Sequence, residues 1–386
     1  VIQRQTQTLE PNVVLPLLEE LRRECIERRF DVAPNPCVGA AILSGDSVVG
    51  RGYHEAWGGA HAEIHAMEAA REAGVEESEW DALIVTLEPC SSAGKTAACL
   101  EAILEARIPR VAIAAIDPDP RHAGAAVRAL EAAGVEVRLF ELPGVFEEEN
   151  AAFCGWITPD RVRAQRPWTI AKWAQTRTGQ LSPPEDVGQG RWISGAEALA
   201  EVQILRGRVD AIVTGIGTVR SDDPRLSLRA PGAGEAPLRV VLDSYLRTPP
   251  TAQLFAEDGE GETGGEVVIL TLAGSDGARW RALKEAGAEV VGLRGDEGGH
   301  VSLVEAHTWL WERGARRVLL ECGPELLAAH FEAEFVDQVR VYSGDVFGGE
   351  GVSMGYTLSG LKLVGRGERE CGADAVLEGY LISPKR

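Results

Sequence analysis

The stretch VEAHTWLWERGARRVLLECGPELLAAHF, residues 304–331, decides the fold class. Its first ten residues carry apolar side chains at helical spacing, and Gly314 then supplies the left-handed position that ends a helix. RRVLLE reads as a short buried strand, and Cys322-Gly323-Pro324 opens a second helix, ELLAAHF. The same phrase recurs at 125–139 (AAVRALEAA, Gly134, VEVRL) and from residue 278 (a helix through Arg281–Lys284, Gly287, AEVVGL). Helices alternating with such strands predict α/β layering rather than a helical bundle or a sandwich. At 386 residues the chain is long enough for two such domains. The seam is expected between about 141 and 166, where the acidic, Pro/Gly-punctuated ELPGVFEEENAAF leads through ITPDRVRAQRP into a fresh strand, WTIAKWA. EDGEGETGGE at 257–266 and GDEGGH at 295–300 read as solvated loop tips.

Hydrophobic residues make up 45% and charged residues 25%, the balance of a globular protein. No apolar run approaches membrane-spanning length, and no secretory signal opens the chain. The net charge is −20, and residues 1–150 hold 13 Lys/Arg against 26 Asp/Glu, with no basic cluster. Such a surface disfavours nucleic acid and favours a small-molecule substrate. The seven cysteines, at 25, 37, 90, 99, 154, 322 and 371, are odd in number and widely spaced. That argues against a disulfide framework and for the cytoplasm.

Only Cys90 and Cys99 form a local pair. His61-Ala62-Glu63 begins the amphipathic helix GAHAEIHAMEAAREAG, and Pro89-Cys90 follows the strand ALIVTLE. One imidazole and two thiolates supply the three protein ligands of a catalytic zinc and leave a position for water. The metal acidifies that water, and a carboxylate two residues from the His ligand can shuttle its protons to a ring nitrogen and a leaving amine. Glu63 fits that role. A zinc-protease pairing of His61 with His65 is disfavoured, because those enzymes carry Glu directly after the first His.

These motifs resemble a known family. Pro34-Asn35-Pro36-Cys37-Val38-Gly39, HAE at 61–63, TLEPCSSAGKTAAC at 86–99 and DPDP at 117–120 are similar to the pyrimidine deaminase domain of the bifunctional deaminase–reductases of riboflavin biosynthesis. The eight residues between the cysteines are the mark of that branch. The resemblance implies a cytidine-deaminase-like α/β/α domain over residues 12–145. It makes His61, Cys90 and Cys99 the zinc ligands and Glu63 the proton shuttle, and it puts Asn35 against the pyrimidine. The chain departs from the family pattern at Ser92, Lys95, Ala97-Ala98 and Gly124-Ala125-Ala126.

Residues 166–386 lack a GxGxxG fingerprint, but two strand-to-loop junctions suit phosphate: DAIVTG with Ile216-Gly217-Thr218, and RVLLE with Cys322-Gly323-Pro324. With RPWTIAKWAQTRTG (166–179), GRWISG (190–195), LRGRVDAIVTGIGTVRSDDPRLSLR (205–229) and RVVLDSYLRTP (239–249), they resemble the reductase half of the same family, a dihydrofolate-reductase-like α/β fold. By that resemblance Ala174, Trp192, Thr218, Asp222 and Gly323 line an NADPH site. Ser194, Arg206, Leu226, Arg229 and Glu321 face the substrate. Arg206 and Arg229 are suited to clamp a ribose phosphate, and Lys172 and Glu321 to assist protonation as the sugar ring opens. Thr178, Gly190 and Cys322 stand where the family has Asp, Ser and Gly.

The expected protein is thus a zinc- and NADPH-dependent bifunctional enzyme. It deaminates 2,5-diamino-6-(5-phosphoribosylamino)pyrimidin-4(3H)-one and then reduces the ribosyl group to ribityl; family habit implies a homo-oligomer. Two rivals are a nucleic-acid or nucleoside deaminase and a deaminase whose reductase half has degenerated.

Overall fold

The computed structural model describes residues 9–91, 98–142, 145–184, 193–229, 236–259, 261–349, 352–355 and 358–381. The chain divides into two compact units, Val1–Pro159 and Asp160–Arg386.

The first unit is built on five strands: β1 (Gly39–Ser44), β2 (Ser47–Tyr53), β3 (Ala82–Val85), β4 (Arg110–Ile113) and β5 (Glu136–Leu139). Their order is β2-β1-β3-β4-β5. β1 runs antiparallel to both β2 and β3, whereas β3, β4 and β5 are parallel. Side chains alternate across the sheet, so each face acquires its own core. Ala41, Leu43 and Ile84 pack with Leu18 and Leu21 of the helix Pro11–Cys25. Ala40, Ile42, Leu83 and Val85 pack with Ala66, Met67, Ile103 and Leu130 from the helices Ala62–Glu72, Cys99–Glu105 and Ala125–Ala132. The result is the α/β/α sandwich expected from the resemblance. Gly50 and Gly52 permit a close helix–strand approach: a Cβ at either would lie 2.2 Å from the Ala66 backbone. That approach seats the helix whose N-cap is His61.

The expected linker is helical through Phe146–Glu149, Ala151–Trp156 and Pro159–Ala164. Buried Asn150 ties it back to the first unit by accepting the Cys37 N–H at 2.6 Å. Its Asn-for-apolar chemistry hides this contact from a periodicity reading.

The second unit carries β6 (Trp168–Gln175), β7 (Ala211–Gly215), β8 (Leu238–Leu242), β9 (Val267–Leu272), β10 (Glu289–Leu293), β11 (Arg317–Leu320), β12 (Gln338–Ser343), β13 (Val364–Cys371) and β14 (Asp374–Tyr380). The sheet order is β10-β9-β8-β7-β11-β6-β12-β14-β13. The first seven of these neighbours are parallel, and β14 and β13 close the far edge antiparallel. Leu310 and Leu327, from the helices Leu303–Glu312 and Pro324–Glu332, bury against Trp173, Val213, Leu320 and Val341 on one face. Ala198 and Val202 of the helix Ala196–Arg206 pack on Tyr342 and Val376 on the other. Each leucine or valine among these contributes about 1.5–3 kcal/mol when fully buried. Gly314 and Gly287 take φ of 88° and 102°, as the helix–glycine–strand pattern requires. The 257–266 segment is exposed in large part, yet Thr263 pairs with Leu228 and Glu262 binds Arg225, so it braces the 225–229 stretch. Among the described residues, no helix is long and apolar enough to cross a membrane.

Candidate functional site

In the first unit the three expected ligands converge from separate elements. His61 caps one helix, Cys99 begins another, and Cys90 sits on the turn after β3. Cys90 Sγ and Cys99 Sγ lie 3.5 and 3.3 Å from His61 Nδ1, and the three donor atoms fall within 4.8 Å of one another. Zinc bonds of about 2.0–2.3 Å in tetrahedral array separate ligand atoms by roughly 3.5 Å. The cluster fits the metal in donor type, number and spacing. The Cys99 backbone N–H donates to Cys90 Sγ at 3.2 Å. The hydrogen bond between the two thiols lowers the pKa of Cys90, with His61 adding to the effect, and raises that of Cys99. The same cluster raises the His61 pKa through Cys90.

Glu63 follows in the first turn of the His61 helix and is 3% exposed. Burial pushes its carboxyl pKa up against the opposing pull of its own backbone N–H and of His61. A carboxyl so placed holds a proton more readily than a surface glutamate does, which suits proton exchange.

Asn35 reaches this cluster through a residue that sequence reading passed over. Asn35 Nδ2 donates to His54 Nε2 at 3.1 Å, and His54 Nδ1 donates to the Ala60 carbonyl at 3.0 Å. The His54 ring packs edge-on against His61, 5.3 Å between centroids. Its only sequence signal is a histidine at the end of β2 shortly before the His-Ala-Glu motif. Buried Glu88, just before Pro89-Cys90, was also missed. Its carboxylate accepts the N–H groups of Asp117, Gly124, Ala126 and Val127 at 3.1, 2.8, 2.9 and 3.3 Å, pinning the DPDP loop beside the Cys90 turn. His65 donates to the Tyr53 carbonyl at 2.7 Å and is a helix-to-strand brace. Ser92, Lys95 and Ala97 lie outside the described residues.

In the second unit, adjacent parallel strands β7 and β11 deliver two of the expected cofactor residues side by side. The Gly323 N–H donates to Thr218 Oγ1 at 3.1 Å, joining the two Gly-containing turns at the carboxyl edge of the sheet. Crevices at such edges, where strand order departs from chain order, are where open α/β sheets bind ligands. Asp222 ends the helix Ile216–Asp222 and is exposed. Ala174 lies on the face of β6 that packs against the helix Ala196–Arg206. Ser194 precedes that helix, where the Gly195 N–H is held by Asp374 at 2.9 Å. Trp192 and Gly190 fall outside the described residues.

The charged centre is Glu321, just past β11. Arg206 grips its carboxylate bidentately at 2.7 and 3.1 Å, and Lys172 Nζ approaches at 3.7 Å. Burial alone raises the Glu321 pKa, but Arg206 and Lys172 outweigh it and hold it at about 2. Burial lowers the Lys172 pKa, and Glu321 offsets that only in part. The third Arg206 nitrogen donates to the Ser227 carbonyl at 3.2 Å.

The Arg206 fork is engaged by Glu321 and the Ser227 carbonyl. It ties Glu321 to the stretch holding buried Leu226, at φ 53°, and exposed Arg229, so the four expected substrate-facing residues Arg206, Leu226, Arg229 and Glu321 are linked. Cys322 packs against the core as a partly buried filler, and burial raises its thiol pKa. Thr178 Oγ1 accepts the Gly348 N–H at 2.8 Å.

Comparison with known proteins agrees with this division. Residues 18–115 match the cytidine and deoxycytidylate deaminase zinc-binding region, and residues 167–374 match the RibD C-terminal domain. Riboflavin biosynthesis protein RibD of Aquifex aeolicus is 33% identical over 333 residues, which is 85% of this chain and 86% of that protein. The Bacillus amyloliquefaciens protein of the same name is 36% identical, with 80% and 78% covered. A Thermotoga maritima crystal structure, described as a diaminohydroxyphosphoribosylaminopyrimidine deaminase/5-amino-6-(5-phosphoribosylamino)uracil reductase, is similar with a TM-score of 0.64 at 26% identity, covering 95% of this chain and 99% of that one. The chain belongs to the RibD family, the bifunctional deaminase–reductases of riboflavin biosynthesis that work with zinc and NADPH.

Proposed function

We propose that residues 12–145 replace the 2-amino group of 2,5-diamino-6-(5-phosphoribosylamino)pyrimidin-4(3H)-one by oxygen, and that residues 166–386 then reduce the ribosyl group of the product to a ribityl chain. The observation that carries the first step is the convergence of His61, Cys90 and Cys99 beside a buried Glu63. His61, Cys90 and Cys99 would hold zinc, which when bound supplies an acidified water. Glu63 takes a proton from the water, gives it to the ring nitrogen, and passes a second to the departing amine, which leaves as ammonia. Asn35, oriented by His54, hydrogen-bonds the pyrimidine.

For the second step the reductase unit would hold NADPH, which when bound would supply a hydride for C1′ of the sugar. Ala174, Trp192, Thr218, Asp222 and Gly323 line its site in this reading. Lys172 carries the proton that the opening ring oxygen needs, and Glu321 keeps that ammonium in place. Ser194, Arg206, Leu226 and Arg229 contact the substrate, with Arg206 and Arg229 at its phosphate, and Arg206 also positions Glu321. We read the enzyme as cytoplasmic, in keeping with its free cysteines, as a homo-oligomer, and as acting on a small molecule.

Mass spectrometry of the diamino ribotide incubated with zinc-loaded protein and NADPH tests both steps. Exchange of NH for O followed by gain of two hydrogens is the expected course. The first change without the second would remove the reductase assignment, and no change with zinc bound would remove the substrate assignment.

A further inference from the structure

The acidic, glycine-rich segment 257–266 is seated on the body of the second unit rather than left in solvent. A Cβ at Gly265 would lie 1.9 Å from the Pro237 carbonyl oxygen, so glycine is required for the segment to lie against the start of β8. Arg239 of β8 then fastens it, donating to the Gly265 carbonyl at 2.8 Å and to the Arg225 carbonyl at 3.1 Å.

What the segment holds is the stretch 225–229. Leu228 and Thr263 exchange backbone hydrogen bonds, both at 2.9 Å. Half-buried Glu262 adds two side-chain contacts. One carboxylate oxygen accepts the Ser227 hydroxyl at 2.5 Å, and the other faces the Arg225 guanidinium at 3.1 Å. That second oxygen also accepts the Gly259 N–H at 3.3 Å, which orients the carboxylate. The Ser227 hydroxyl lowers the Glu262 pKa against the effect of burial, and the Gly259 N–H and the charges of Arg225 and Arg229 add to it.

The stretch needs such a hold. Leu226 is buried at φ 53°, a left-handed conformation that a side-chain-bearing residue keeps only where its surroundings impose it. The helix Ala196–Arg206 supplies one set of anchors: Arg206 donates to the Ser227 carbonyl at 3.2 Å, and Gln203 accepts the Arg229 N–H at 2.9 Å. Glu262 supplies the other. Ser227 is thus gripped at its carbonyl by the residue that binds Glu321, and at its hydroxyl by Glu262. Leu226 and Arg229, on either side of it, take their places from both. Among the described residues, no hydrogen bond or ion pair joins Glu262 to Glu321 or Lys172. Its loss therefore displaces the stretch without touching the proton chemistry, and a small misplacement of contact residues is enough to weaken binding.

We propose that Glu262 is a positioning residue for substrate recognition, which through Ser227 and Arg225 sets Leu226 and Arg229 against the phosphorylated sugar of the reductase substrate. This rests on the reading that Leu226 and Arg229 contact that substrate. The test is steady-state kinetics of the full chain on the deaminated ribotide with NADPH, comparing Glu262→Ala, Glu262→Gln, Ser227→Ala and Arg229→Gln. Glu262→Ala should raise the KM for the ribotide roughly 10-fold, the effect of one charge-assisted hydrogen bond, with kcat and the KM for NADPH within about twofold. Glu262→Gln still accepts the Ser227 hydroxyl and should recover part of the loss. Adding Ser227→Ala to Glu262→Ala should cost less than the two singles combined, because they remove one contact. An unchanged ribotide KM in Glu262→Ala, with Arg229→Gln raising it, overturns the proposal alone. A fall in kcat at unchanged KM overturns it too, as does an equal rise in KM for NADPH and ribotide, which marks damage to the fold. An unchanged ribotide KM in Arg229→Gln overturns the substrate reading beneath it, and the proposal with it.

Discussion

Replacing Arg206 by methionine removes the guanidinium that binds Glu321 at 2.7 and 3.1 Å and the Ser227 carbonyl at 3.2 Å. Methionine keeps most of the side chain's volume, so the change is mainly electrostatic. The Glu321 carboxyl stands at about 2 in the folded protein against its ordinary 4.5. A depressed carboxylate stabilises the fold above its unfolded pKa and loses that contribution as pH falls towards the folded one. The drop corresponds to roughly 3 kcal/mol, complete above pH 4.5 and lost between 4.5 and about 2. With Arg206 gone, Glu321 keeps only Lys172, 3.7 Å away. Stripping one partner from a buried pair costs about 3–5 kcal/mol, a matching figure. Urea unfolding of Arg206→Met at pH 7 should therefore show the reductase transition destabilised by about 3 kcal/mol. Glu321→Gln should cost a similar amount, because it strands the guanidinium. The double variant should lose at least about 1 kcal/mol less than the two singles added together, the signature of residues in contact. Strict additivity, or an Arg206→Met cost under about 1 kcal/mol, would refute the coupling.

Other perturbations separate the two halves. Glu63→Gln should retain zinc, measured by metal analysis, while deamination slows by about 10²–10⁴-fold, the usual share of a proton shuttle; unaltered turnover would remove Glu63 from the chemistry. Removing zinc by chelation should abolish ammonia release and leave NADPH oxidation on the deaminated substrate intact. His330 is buried beside His307, and burial holds its pKa at about 4 instead of 6.5. Between pH 6.5 and 4 the unfolded chain thus binds a proton that the folded chain refuses. Stability should fall by roughly 3 kcal/mol as pH drops through that window, and His330→Leu should flatten the slope in thermal unfolding.

What sequence reading captured was local. The helix–glycine–strand phrases around Gly134, Gly287 and Gly314 lie within about fifteen residues each, so periodicity and one left-handed position specify them. The zinc triad was legible because its chemistry demands fixed residue types at short spacings. Long-range pairings left no such trace. Arg206 meets Glu321 across 115 positions, a union created when the helix Ala196–Arg206 packs on Ala174 of β6, Tyr342 of β12 and Val376 of β14. His54, Glu88 and Asn150 look like ordinary polar residues until the fold buries them against a functional loop. The helical tail after residue 145 was obscured by its acidic, glycine-punctuated start.

The central claim is that the two sites act in sequence on one substrate. Its most direct test follows NADPH absorbance with the unsubstituted chain and with Glu63→Gln, starting from either the diamino ribotide or its deaminated product. Glu63→Gln should consume NADPH only from the deaminated product, whereas the unsubstituted chain should consume it from both. NADPH consumption by Glu63→Gln from the diamino compound at the unsubstituted rate would contradict it.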